Sequence, residues 1–79
     1  MGRAAIVLEQ GRVRAGLSFE QLWVRYFALG GMATVTEIRA FLMGNPQPNA
    51  EQYGLIAHAL NELLDDMKFE EVPFSTPDV

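Results

Sequence analysis

The stretch Ser18 to Gly31, SFEQLWVRYFALGG, constrains this chain more than any other. Ser18 and Gln21 have the spacing of a capping box. The Ser18 hydroxyl can accept from the Gln21 backbone N–H, and the Gln21 side chain can reach back to the N–H of Ser18. Leu17 before the cap and Leu22 at the fourth helical position have the geometry of a hydrophobic staple. A helix is therefore predicted to start at Phe19. Gly30-Gly31 should end it, because glycine tolerates the left-handed backbone that closes a last turn. Between those ends Phe19, Leu22, Trp23, Val24, Tyr26, Phe27 and Leu29 are apolar, and Glu20, Gln21 and Arg25 form the only polar stripe. A helix apolar over most of its circumference is normally buried on several sides. This one reads as the hub of the fold. Trp23 can belong to it as plain core or as part of a docking surface, since tryptophan is enriched at binding hot spots.

Two further helices follow from the same logic. Thr34 and Glu37 make another capping box, and Val35, Ile38, Phe41 and Leu42 give one apolar face over Val35 to Met43. Gly44 is the expected residue after its end, and Asn45-Pro46 forbids continuation. After the short loop Gly44 to Asn49, Asn49 and Gln52 cap a third and longest helix. Tyr53, Ile56, Ala57, Leu60, Leu63, Leu64 and Met67 trace its apolar stripe. Gln52, His58, Asn61, Glu62, Asp65 and Asp66 are placed on the opposite, polar face.

The two ends are less legible. Ala5-Ile6-Val7-Leu8 is a short β-favourable run, Glu9-Gln10-Gly11 has turn character, and Arg12-Val13-Arg14 can return as a second strand. An irregular arm or a helical turn competes with that hairpin, because a short apolar run does not separate strand from helix. At the other end Phe69, Val72 and Phe74 can fold back over the helices or pair with the N-terminal run as a small sheet, Pro73 limiting any strand to an edge. Residues 75–79 read as a frayed tail. The expected organisation is one mainly α domain: an arm or hairpin over 1–16, a three-helix core over 17–74, and the flexible tail.

A chain of 79 residues buries a modest fraction of its surface, and small scaffolds are usually helped by disulfides, a metal or a partner chain. The absence of cysteine excludes disulfides and thiolate sites, and a single histidine makes a structural zinc site improbable. A protein partner, or self-association as a homodimer, is the remaining aid. No apolar run is long enough to span a bilayer, so a soluble, cytoplasmic protein is expected. Charge is unevenly placed. Met1 to Met43 carries Arg3, Arg12, Arg14, Arg25 and Arg39 against Glu9, Glu20 and Glu37; the rest sets Lys68 against Glu51, Glu62, Asp65, Asp66, Glu70, Glu71 and Asp78, and the net charge is -4.

No residue pattern specifies a reaction, and no cofactor, metal or small-molecule substrate is expected. His58, Glu62 and Asp65 recur at helical spacing, but three groups on one solvated helix make a poor metal site. Asp65-Asp66 and Glu70-Glu71 are carboxylate pairs without the divergent environments that acid–base catalysis needs. Ser18 and Thr34 are explained as caps, and no base stands beside them. Three helices with possible terminal strands also outline a winged helix-turn-helix. There the third helix would enter the DNA major groove, where its carboxylates Glu51, Glu62, Asp65 and Asp66 oppose binding to phosphates.

The runs Leu22 to Gly31 and Ala57 to Glu62 resemble segments of short, largely uncharacterised proteins of actinomycete bacteria, over roughly Leu17 to Leu64. That resemblance implies a bacterial, regulatory setting and brings no activity or site residues. The function expected from the residues is a non-enzymatic protein–protein interaction module, a small acidic regulator or adaptor, with DNA binding as the alternative. Contact is expected through Trp23, Tyr26 and Phe27, with Arg12 and Arg14 as polar accessories.

Overall fold

The computed structural model describes residues 3–75. Over them the chain is mainly helical, with four helices: α1 (Arg3–Ala15), α2 (Phe19–Ala28), α3 (Val35–Met43) and α4 (Ala50–Asp66). Side-chain caps set three of the four starts. Ser18, Thr34 and Asn49 each accept from the backbone N–H three residues on, and Gln21, Glu37 and Gln52 return the bond. The four ends share one geometry. Gly16, Gly30, Gly44 and Lys68 have positive φ, and the N–H of the next residue bonds back over a full turn, as in Leu17 to Arg12 and Phe69 to Leu64.

The N-terminal stretch, expected as a hairpin or arm with a helical turn as the competing form, is the helix α1, so the core has one helix more than the three predicted. The reason lies in small residues. Ala4, Leu8, Gly11 and Ala15 are buried on one face, together with Ala5. Alanine and glycine weigh little as apolar signal, so that stripe is nearly silent in the sequence. Gly11, taken for a turn residue, is a packing contact: a Cβ there would lie 2.6 Å from Val72 Cγ1 and 3.2 Å from Leu60 Cδ1. Glu9 and Arg12, three apart, add an ion pair along the helix.

The helices interlock as two pairs, α1 and α2 each packing against both α3 and α4. Leu8, Leu22, Tyr26, Ile38, Tyr53, Ile56, Leu60 and Leu64 are the largest fully buried side chains. α4 supplies four of these eight and is the true hub. α2 buries only Leu22 and Tyr26, so much of its apolar girth faces outward.

No strand forms among the described residues, and the small terminal sheet is absent because its N-terminal partner is a helix. The segment 69–75 instead folds back along α4 as an extended strap. Asn61, expected on the polar face, is 3% exposed. Its amide donates to Val72 O at 2.9 Å and accepts from Val72 N at 2.8 Å, which reproduces a strand-like pair with one side chain. The Tyr53 hydroxyl donates to Pro73 O at 2.8 Å, and Arg14 donates to Glu70 O at 3.1 Å. Residues 76–79 of the expected tail lie outside the described residues.

Candidate functional site

α2 positions most of the residues expected to make contact. Its inward line is Leu22 and Tyr26; its outward line is Glu20, Val24, Phe27 and Ala28, all exposed. Trp23 lies on the boundary and is half-buried. Its indole N–H donates to Ala33 O at 2.9 Å, and its ring stacks on Phe27 with centroids 5.2 Å apart and planes 28° from parallel. Phe27 is itself 60% exposed and Val24 58% exposed. The outer face of α2 therefore carries an apolar strip of Val24, Phe27 and the edge of Trp23, bordered by Glu20 and Gln21.

Tyr26 does not belong to that strip. It is 2% exposed, and its hydroxyl accepts from Ala33 N at 3.0 Å. Trp23 and Tyr26 thus grip both polar groups of Ala33 and hold the α2–α3 loop. Gly31 lies against the Tyr26 ring so closely that a Cβ there would overlap it. One consequence is that Met32, between Gly31 and Ala33, is pushed outward and is 92% exposed. As a contact residue Tyr26 is thereby corrected to core.

The two arginines expected as accessories serve the molecule internally. Arg12 makes a two-pronged ion pair with Glu9, at 2.8 Å through Nε, and donates to Leu17 O at 2.6 Å. The hydrogen bonds it donates to Glu9 hold its guanidinium above the ordinary pKa, partial burial pulling the other way. The guanidinium also lies 4.2 Å from the Phe19 ring centroid, and Arg39 lies 4.8 Å from the same centroid. Arg12 therefore ties the end of α1 to the start of α2. Arg14 is exposed and reaches the strap. The structure brings Trp23 and Phe27 together and leaves Arg12 and Arg14 on α1.

Val24 and Met32 are the surface residues that the sequence reading did not single out. The signal for Val24 was its place three residues before Phe27. Met32 carried no signal, because its exposure follows from the contact between Gly31 and Tyr26.

His58, Glu62 and Asp65 line one shallow cleft of about 190 Å³ with Asn61, Glu71 and Phe74. Among the described residues no three histidine or carboxylate side chains converge closely enough to hold a metal ion. A second cleft, of about 260 Å³, lies between the α2–α3 loop and the start of α4, with Met32, Glu37 and Glu51 on its walls. No helix among the described residues is long and apolar enough to cross a membrane.

Comparison with protein-family models, with curated proteins and with solved structures finds no match.

Proposed function

We propose that this chain is a non-enzymatic protein–protein interaction module, a small cytoplasmic regulator or adaptor that associates through the outer face of α2. A second copy of the chain is the partner that this face can be tested against first. One observation carries the reading: Phe27, more than half exposed, is stacked on Trp23 and flanked by the equally exposed Val24 on one side of a single helix. Aromatic side chains held rigid by a neighbour make effective contact surface, because little rotamer freedom remains to be lost on binding. The resemblance of Leu22 to Gly31 and Ala57 to Glu62 to short actinomycete proteins supports a bacterial setting for this role.

The DNA-binding alternative has less behind it. The carboxylates Glu51, Glu62, Asp65 and Asp66 are exposed on α4, and Arg12 is engaged within the molecule. Duplex binding draws on counterions released from the phosphates as Lys and Arg replace them, and a carboxylate-bearing helix works against it.

The test is light scattering over a dilution series, with Trp23 emission as the internal reporter. Association should vanish on dilution, with emission shifting to the red as the Trp23–Phe27 edge is uncovered. At low ionic strength Val24→Asp with Phe27→Asp should leave helix content unchanged and keep the chain monomeric across the dilution series. A chain that stays monomeric at the highest concentration reached, with emission independent of dilution, rules out the self-association. Salt-sensitive binding of random duplex DNA at low ionic strength would favour the alternative instead.

A further inference from the structure

The strap after α4 is held as a receptor holds an extended peptide. Asn61 takes both polar groups of Val72, Tyr53 takes the Pro73 carbonyl, and Arg14 takes the Glu70 carbonyl. All of these bonds read backbone. One strap side chain is buried, Val72 at 2% exposure, seated where Gly11 lacks a Cβ and beside Leu60. Phe69, Glu70, Glu71, Pro73 and Phe74 stay exposed. Main-chain bonds for affinity and one pocket for selectivity is a recurring mode of recognising extended segments. Nothing in it depends on the segment belonging to the same chain.

The joint that folds the strap back is the second observation. Lys68 has φ 62, whereas the other three helices place glycine at the same position. A left-handed lysine is strained. Short connections under strain favour exchange of a terminal segment between copies. Turning Lys68 to ordinary helical angles relieves the strain and lets the chain leave along the α4 axis, with residues 69–75 keeping the extended form that Asn61 and Tyr53 hold. A strap leaving along the α4 axis then meets the α4 of a second copy end to end. It lies along that helix in the same antiparallel sense as in the closed form, and the exchange is reciprocal.

We infer that the groove between α1 and α4 receives residues 69–75 of a second copy of this chain, by exchange with its own strap about Lys68. This goes beyond the α2 surface and uses none of its residues. Asp65, Asp66, Glu70 and Glu71 of both copies would gather at the junction and outnumber the two copies each of Lys68 and Arg14 beside them. Their repulsion holds the exchange back at low ionic strength, and salt releases it.

The lack of cysteine makes the test direct. His58 and Phe74 have ring centroids 6.1 Å apart, and both residues are exposed. The full chains H58C and F74C are mixed, equilibrated in high salt and oxidised. The H58C–F74C heterodisulfide should exceed both homodisulfides at least tenfold and rise with salt. Adding Lys68→Gly to both chains, which removes the strain of the closed turn, should lower it several-fold. V24D/F27D in the same backgrounds should leave the high-salt yield unchanged, whether or not it abolishes association in light scattering at low ionic strength. The double variant H58C/F74C in one chain should close on itself, confirming the cis geometry. A heterodisulfide no more abundant than random pairing, or one lost with V24D/F27D, overturns the exchange while leaving the α2 reading standing.

Discussion

Asn61 shows how far one side chain can depart from the role its spacing assigns. On the helical pattern it falls with His58 and Glu62 on the polar side of α4, yet it is buried and makes two bonds to Val72. It gives the strap the pairing that a neighbouring strand would otherwise supply. Removing it strands a buried N–H and a buried carbonyl, each costing roughly 1–3 kcal/mol. Asn61→Ala should therefore destabilise the fold by about 2–4 kcal/mol, read as a lower midpoint in urea unfolding. Asn61→Asp keeps the shape but replaces the donor facing Val72 O with an oxygen, and should cost at least as much. If either variant unfolds like the parent chain, the strap is not docked as described. Trp23 and Tyr26 make a comparable pair at the other end of the molecule. Their grip on Ala33 holds Tyr26 in the core and Trp23 at its edge, while Phe27, which makes no such bond, stays exposed.

At the scale of the element, two glycines inside helices predict opposite outcomes for the same substitution. Gly11 in α1 faces Val72 and Leu60, and an added methyl would collide with a stiff β-branched side chain whose backbone Asn61 already holds. Gly54 in α4 has nothing within 4 Å of where a Cβ would stand. Alanine is favoured over glycine in a helix interior by about 1 kcal/mol. Gly54→Ala should raise stability by about 0.5–1 kcal/mol. Gly11→Ala starts with that same gain, but overpacking typically costs 1–3 kcal/mol, so a net loss of up to about 2 kcal/mol is expected. Thermal melts of the two variants beside the parent settle both signs. Propensity alone predicts that both should stabilise, so a destabilised Gly11→Ala measures the close approach of α1 to the strap.

At the scale of the whole molecule, the strap also couples the fold to pH. Burial pushes the Tyr53 phenol above its ordinary 10.0, and its proton is donated to Pro73 O. The folded state thus holds this proton more tightly than the unfolded chain. Its contribution is complete below about pH 10 and is lost as pH rises through the raised value. The unfolding free energy from denaturant titrations should fall above pH 10, by up to ~1.4 kcal/mol per pH unit from this group. Tyr53→Phe should be less stable at neutral pH by about 0.5–1.5 kcal/mol and should lack that component of the alkaline loss. The sequence by itself determined the mainly helical class and the three capping boxes. It also determined the ends of α2 and α3, because caps and C-terminal glycines act within one turn of chain. It determined one stripe each for α3 and α4, where large apolar residues recur at helical spacing. Only the tertiary structure decided that Arg3–Ala15 is a helix, since the face made by Ala4, Gly11 and Ala15 has meaning only against α3, α4 and the strap. It likewise decided that α4 and not α2 is the hub, that Asn61 is core, and that Phe27 and Val24 stand outside. Periodicity states how much of a helix is apolar; which neighbours arrive to cover it is set by contacts between residues far apart in the chain.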